Sequence, residues 1–162
     1  MRYTGGCQCG AIRYAVEGPF DHASLCHCRM CQKATGQAYF ASATVRPGTL
    51  SWTRGAPSRF RSSSVAWRLF CPACGTPLGF EDVDPAAAAA AGGGGEAVAL
   101  GTLDDPEAVK PGYHIGIESR LSWWNGPGLE DGQTTEQDAA AFVRGMQDYQ
   151  HPDHDTKEWP PA

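Results

Sequence analysis

Seven cysteines in three short clusters constrain this chain more than any other feature. An odd number of cysteines cannot all pair as internal disulfides. Residues 1–6 lack the apolar core of an export signal, which favours a cytoplasmic location, where disulfides are disfavoured. Thiolates two or three residues apart can instead converge on one metal ion. The sequence therefore predicts metal sites, built from these clusters: Cys7 and Cys9; Cys26, Cys28 and Cys31; Cys71 and Cys74.

Counting ligands divides the cysteines into a full set and an incomplete set. Zinc accepts four thiolates as a closed tetrahedral structural site, whereas three ligands leave one position open for chemistry. A glycine directly follows the second cysteine of each outer pair (Gly10 and Gly75), which supports placing both pairs on one metal. We therefore predict a structural zinc on Cys7, Cys9, Cys71 and Cys74, and a catalytic zinc on Cys26, Cys28 and Cys31.

The middle cluster also admits a purely structural interpretation, with His27 or an outside group as its fourth ligand. His27 lies between two cysteines, so on an extended backbone its ring points away from them. Arg29 and Lys33 place two cations close to this cluster. They are either solvated surface residues or groups that hold a carboxylate-bearing substrate near the metal.

Five further residues have both a structural and a functional interpretation. Trp123 and Trp124 belong to the core or line a substrate cleft. His114 is a strand histidine with satisfied hydrogen bonds or a residue of the site. His151 lies in a stretch that, with His154, predicts a frayed tail rather than a metal site.

Composition indicates a globular protein without a membrane segment. At 162 residues a single domain is the simplest organisation, and 20 glycines and 12 prolines favour turns and short strands. A net charge of −5 argues against a nucleic-acid surface. No run of eighteen apolar residues occurs, so no membrane span is expected. The sequence does not indicate which oligomeric state the protein adopts.

Local patterns predict a mainly β protein in two parts. Residues 4–10 predict a glycine-rich turn, residues 32–35 a helical turn closed by Gly36, and residues 85–95 a low-complexity surface loop. From Thr134, apolar residues at helical spacing predict a C-terminal helix. We place a zinc-binding domain at 1–133 and a helix with a tail at 134–162. Alternation predicts strands near residues 11–16, 38–45, 50–52, 58–62, 65–70, 76–80, 96–103 and 113–117.

Three motifs, at residues 6–10, 26–36 and 70–76, resemble the glutathione-dependent formaldehyde-activating enzyme family, which also includes centromere protein V. Residues 101–106, His114 and Trp123 match later landmarks, so the resemblance covers roughly residues 4–125. It implies a β-tent of several small, coiled antiparallel sheets pinned by zinc, with the two zinc sites divided as above. The stretch 125–132, the alanine–glycine loop and the C-terminal helix depart from the family pattern.

The resemblance implies a carbon–sulfur lyase that joins glutathione to formaldehyde as S-hydroxymethylglutathione, or catalyses the reverse. Its partners would be a small thiol and a small aldehyde, without nucleic acid or membrane. Two alternatives stay open: a non-catalytic zinc-stapled module that binds a protein, and a thiol-based oxidoreductase such as a methionine sulfoxide reductase. Metal content separates them, because the reductase would hold only the structural zinc.

Overall fold

The computed structural model describes residues 1–90, 95–125 and 151–158. Within these residues two short α-helices form, α1 (Arg29–Thr35) and α2 (Pro85–Ala90), and none of the described helices is long and apolar enough to cross a bilayer. The helix predicted from Thr134 lies outside the described residues. The strands are β1 (Arg2–Gly6), β2 (Arg13–Glu17), β3 (His22–Cys26), β4 (Phe40–Val45), β5 (Leu50–Arg54), β6 (Ser58–Arg61), β7 (Ala66–Phe70), β8 (Pro77–Asp82), β9 (Glu96–Ala99) and β10 (Tyr113–Ile115).

Two sheets account for these strands. One has the order β1-β2-β5 and the other the order β10-β3-β4-β9-β8-β7-β6. Neighbouring strands are antiparallel throughout, apart from β10, which adds to β3 in parallel. The predicted mainly β fold of small antiparallel sheets is confirmed, and the parallel pair is an addition to it. A parallel neighbour requires a long connection, and β10 reaches β3 from far along the chain.

The two faces of the larger sheet have different environments. On one face Ala43, Val45 and Val98 pack with Tyr14 and Val16 of the smaller sheet in the main hydrophobic core. Because side chains alternate along a strand, the residues between them emerge on the opposite face. That second face carries polar and charged side chains of β4, β7 and β8, and it forms the cavity described below.

The turn predicted for residues 4–10 is shorter than expected. Gly5 and Gly6 belong to β1, which pairs with β2 along its whole length. A Cβ atom on Gly5 would collide with the Thr102 carbonyl and the Tyr14 ring. These glycines therefore permit a close approach of neighbouring chains rather than a turn, which local sequence does not distinguish.

The low-complexity segment begins with a helix that we had not predicted. Asp84 Oδ1 accepts hydrogen bonds from the backbone N–H groups of Ala86 and Ala87, at 3.1 and 3.0 Å. Pro85, the first residue of α2, has the backbone angle that a first helical position needs. This cap stabilises six residues that alanine propensity alone does not hold in a helix. Positions 91–94 of the predicted loop lie outside the described residues.

The strand predicted for residues 96–103 ends early, at Ala99. The Thr102 hydroxyl donates to the Ala99 carbonyl at 2.7 Å, and Leu100–Thr102 forms a 3-10 turn. This turn brings Leu100 and Leu103 into the main core.

The frayed tail predicted for residues 151–155 is wrong at His151 and Asp155, which dock on the rest of the chain. His151 is buried, and its backbone N–H donates to the Gln8 carbonyl at 2.8 Å. Asp155 accepts a hydrogen bond from Arg13 Nη2 at 2.9 Å, and Asp104 accepts one from Arg13 Nη1 at 2.8 Å. Arg13 is buried, so its charge requires anionic partners, and the tail supplies one of the two.

Removing Asp104 is expected to destabilise the fold strongly. Burial opposes ionisation of this carboxyl, but hydrogen bonds from Arg13 and Thr4 outweigh burial and hold its pKa below the ordinary 3.8. Asp104→Asn should therefore lower the free energy of unfolding by about 3 kcal/mol near pH 7. The deficit relative to wild type should shrink as the pH falls through and below 3.8, because acid also neutralises the wild-type carboxyl.

Urea denaturation of the zinc-loaded proteins at several pH values measures this difference. Asp155→Asn is the matched control, because that side chain is 49% exposed and its loss should matter much less. Equal stability of Asp104→Asn and wild type at pH 7 would show that the pairing of Asp104 with Arg13 does not stabilise the fold.

Candidate metal centres and the adjoining cleft

Four cysteines, two that follow β1 and two between β7 and β8, meet in one cluster. The Sγ atoms of Cys7, Cys9, Cys71 and Cys74 all lie within 4.8 Å of one another. Sulfur–sulfur distances are 3.6 Å between Cys7 and Cys9 and 3.8 Å between Cys9 and Cys71. Tetrahedral zinc with Zn–S bonds near 2.3 Å requires sulfur–sulfur distances of about 3.8 Å. The cluster therefore fits a closed four-thiolate zinc site.

The two cysteine pairs reach this cluster on similar turns. Gly10 N–H donates to the Cys7 carbonyl at 3.0 Å, and Gly75 N–H donates to the Cys71 carbonyl at 2.9 Å. Both glycines have positive φ, at 71° and 78°, where L side chains are strained. The two cysteine pairs therefore have the same turn geometry, in agreement with the matching positions of Gly10 and Gly75 in the sequence. In addition, the Ile12 N–H donates to Cys7 Sγ at 3.2 Å, and such a donor stabilises a thiolate ligand.

Three cysteines form the second cluster where β3 leads into α1. Cys26 ends β3, Cys28 is the N-cap of α1, and Cys31 lies inside the helix. Their sulfur atoms lie within 4.8 Å of one another, and no other His, Cys, Asp or Glu of the described residues joins them. Gly36 closes α1 in the left-handed conformation, as predicted. The cluster offers three ligands and leaves one tetrahedral position free.

His27 faces away from this cluster into a group of rings. Its Nε2 lies 3.0 Å from His114 Nδ1, and Trp124 packs edge-on against both rings at 4.9 and 5.3 Å. Burial, and then the charges of His114 and Arg120, lower the pKa of His27, which favours a neutral ring. His27, His114 and Trp124 thus form a group of packed rings next to the cysteine cluster, and none of them is one of its ligands. Trp123 is 61% exposed.

Glycine also allows β10 to brace the cluster. The His27 N–H donates to the Ile115 carbonyl at 2.8 Å, which ties β10 to the segment between Cys26 and Cys28. A Cβ on Gly116 would meet the backbone and Cβ of Cys28 at about 3 Å or less. The chain can therefore pass this close only with glycine at position 116.

Arg68 is the site residue that sequence reasoning missed. Its Nη2 donates to Cys31 Sγ at 3.4 Å, and its guanidinium lies over the rings of Phe40 and Phe80, at 6.0 and 5.7 Å. Among the described residues no carboxylate forms an ion pair with Arg68. The available signal was a cation within the strand that runs directly into Cys71.

The thiols of this cluster are electrostatically unequal. A hydrogen bond from Cys26 and, against the effect of burial, the charge of Arg68 lower the pKa of the Cys31 thiol to about 5. The same Cys26–Cys31 contact, together with burial, raises the pKa of Cys26. Cys31 is thus the thiolate that carries negative charge most readily, and Arg68 lies against it.

The three-cysteine cluster borders a cavity of about 520 Å³ on the polar face of the larger sheet. This volume falls in the range of small-molecule sites. Cys26 and Cys31 lie in its wall beside Arg68, and the hydroxyls of Ser24, Ser42 and Thr44 line the same space. A metal held by the three cysteines would therefore lie next to a compartment that admits a small molecule.

The two predicted substrate cations lie away from this cavity. Arg29 donates through Nη1 to Gln32 Oε1 on the same helix and is exposed. Lys33 lines a neighbouring cavity of about 400 Å³, which contains no cysteine but shares Phe40 and Arg68 with the first. Arg68 is therefore the cation that the structure places against the thiolates.

Comparison with known proteins agrees with the family resemblance of the sequence motifs. Residues 2–119 match the model of the family described as glutathione-dependent formaldehyde-activating enzyme. A Schizosaccharomyces pombe protein named as an uncharacterized lyase is 34% identical over 78 residues, which is 48% of this chain and 56% of that protein. A crystal structure of a Rhodobacter sphaeroides protein has the same fold, with a TM-score of 0.51 at 22% identity, over 69% of this chain and 99% of that one.

Proposed function

Because the chain belongs to the glutathione-dependent formaldehyde-activating enzyme family, we propose that it is a zinc-dependent carbon–sulfur lyase-type enzyme. It joins a thiol such as glutathione to a small aldehyde such as formaldehyde, or cleaves the product. The observation that carries this proposal is the cluster of three cysteine sulfurs that borders a cavity. The lyase name of the S. pombe relative supports the reaction class.

The proposed ligand sets follow the two clusters. Cys7, Cys9, Cys71 and Cys74 would hold a structural zinc, and Cys26, Cys28 and Cys31 a catalytic one, since the sulfur spacing in both fits this metal. A zinc ion in the three-cysteine site would supply an exchangeable fourth position that acidifies a thiol. All seven cysteines are free thiols, which is compatible with the reducing cytoplasm that we propose as the location.

The overall reaction requires only that two small molecules meet in the right protonation state. The thiol loses its S–H proton, a bond forms between sulfur and the aldehyde carbon, and the carbonyl oxygen takes up a proton to become a hydroxyl. The cavity walls hold both reactants against the cluster, which replaces a bimolecular encounter with a fixed geometry. The hydroxyl of Ser42, which lines this cavity, is a donor available to the oxygen.

Arg68 is a positioning residue in this proposal. Three thiolates around a divalent ion carry one excess negative charge, and a substrate thiolate adds a second. The guanidinium of Arg68, bonded to Cys31 and flanked by two aromatic rings, offsets that charge in surroundings of low dielectric constant. It thereby favours an anionic fourth ligand.

Arg68→Gln is expected to weaken thiol binding by roughly 10- to 100-fold, because the variant no longer offsets the negative charge that the bound thiolate adds, an effect of about 1.5–3 kcal/mol. Titration of 2-mercaptoethanol into the cobalt-substituted protein, followed by visible absorption, measures this affinity. Arg68→Lys should restore part of it, and Arg59→Gln, an exposed arginine elsewhere on the sheet, should change nothing. Unchanged thiol affinity in Arg68→Gln would refute the positioning role of Arg68.

The reaction itself is tested by exchange NMR on an equilibrium mixture of glutathione and formaldehyde. The zinc-loaded protein is expected to speed the interconversion of free thiol and adduct, and an unchanged exchange rate would refute the formaldehyde chemistry.

Two alternatives differ in metal content and thiol access. A thiol oxidoreductase would hold only the structural zinc and use a free cysteine of the middle cluster. A protein-binding module would hold both zinc ions but give no response to small thiols. The earlier prediction that Arg29 and Lys33 contact a substrate carboxylate stays a prediction. A small thiol and a small aldehyde are the proposed partners, and no nucleic acid or membrane is invoked.

A further inference from the structure

The cavity of about 400 Å³ beside α1 has no part in the chemistry proposed above. It lies between α1, which contributes Met30, Lys33 and Ala34, and the strands β6–β8. It shares only Phe40 and Arg68 with the cysteine-bordered cavity. Its size is within the range of small-molecule sites.

The walls of this second cavity are mostly apolar. Phe60 and Met30 line the cavity with 65% and 50% of their surface exposed. Phe70 and Pro77 complete the apolar lining. Large hydrophobic side chains left in contact with water around a concavity are typical of a binding site. This surface favours a ligand with an apolar body.

The charges in the same cavity are all positive. Lys33 and Arg68 line it, and no acidic residue does. Within the parts of the chain that the structure describes, neither cation forms an ion pair with a carboxylate. Cations next to apolar walls attract an anion more strongly than fully solvated ones.

We propose that this cavity binds a small amphipathic carboxylate, an aliphatic or aryl acid. The apolar chain would lie against Phe60 and Met30, and the carboxylate would be held by Lys33 and Arg68. Because Arg68 also contacts Cys31, the bound carboxylate and the thiolate cluster would share one cation.

Hexanoate is the probe, added to the zinc-loaded full chain and followed by amide shifts in 1H–15N NMR spectra. The expected result is a shift of amides in α1 and β6–β8, with a Kd about tenfold lower than that of 1-hexanol. Hexylamine should bind no more tightly than the alcohol. Equal affinities for acid and alcohol, or no binding of hexanoate, would overturn the proposal.

Variants locate the bound probe. Ala34→Trp fills the cavity from α1, and Phe60→Asp places a negative charge at an exposed wall position; each should abolish hexanoate binding. Lys33→Gln should raise the Kd by about three- to tenfold, whereas Lys110→Gln, exposed and outside the cavity, should not.

A carboxylate can also bind a metal directly, so the cobalt-substituted protein supplies a separate test. Hexanoate in the second cavity should leave the visible absorption bands of the cobalt site in place. A new cobalt spectrum, or binding that persists in both Ala34→Trp and Phe60→Asp, would assign the acid to the metal and refute this site.

Discussion

Replacing Cys71 by serine is expected to unfold the chain. Cys71 is fully buried, and its sulfur belongs to the four-thiolate cluster that joins the start of the chain to β7 and β8. A structural zinc contributes about 10–16 kcal/mol of binding free energy to folding. That is as large as the whole stability of a typical domain, about 5–15 kcal/mol. Circular dichroism should show loss of the native β spectrum, and thermal melting should lose its cooperative transition.

Ser62→Ala is the matched control, because this serine lies between β6 and β7 and belongs to neither cysteine cluster. It should keep the wild-type spectrum and melting temperature within a few degrees. A Cys71→Ser protein with a native spectrum and a normal melting temperature would show that this cluster does not hold the fold.

Cys28→Ser is expected to give the opposite outcome. Cys28 lies outside the main core and packs against a small cluster formed by Cys31, Phe40 and Ala99. Serine is also a favoured N-cap, so the start of α1 should be retained. The fold should persist, while the zinc content falls by about one ion per chain and thiol binding is lost.

Metal analysis, circular dichroism and cobalt spectra measure these effects on the same preparation. If Cys28→Ser unfolds the chain and Cys71→Ser does not, the structural and catalytic assignments must be exchanged. If both variants remain folded, neither zinc stabilises the structure.

The cysteine clusters were predictable because zinc coordination restricts ligand spacing. Pairs such as Cys7 and Cys9 have few ways to converge, and counting ligands separated them from Cys26, Cys28 and Cys31 before any fold was known. The structure brings together the same two sets. Alternation also located most strands, because one face of each sheet is buried.

Most of the missed features depend on contacts between distant parts of the chain. Arg68 contacts Cys31, which is 37 positions away in the sequence, and His151 docks on Gln8, from which it is still more distant in the sequence. Parallel addition of β10 to β3 belongs to the same class. Local periodicity indicates which face of a strand is buried, but not which strand lies beside it. The helix α2 differs, since its cap at Asp84 was visible in the sequence.

The central claim is that the three-cysteine cluster is the reactive site. Exchange NMR on a glutathione–formaldehyde equilibrium mixture, with wild type and folded Cys28→Ser at equal concentration, tests this claim most directly. The account predicts faster exchange between thiol and adduct with wild type, and the uncatalysed rate with the variant. Equal acceleration by both proteins would contradict it, because the reaction would then occur elsewhere. No acceleration by wild type would equally contradict the lyase assignment.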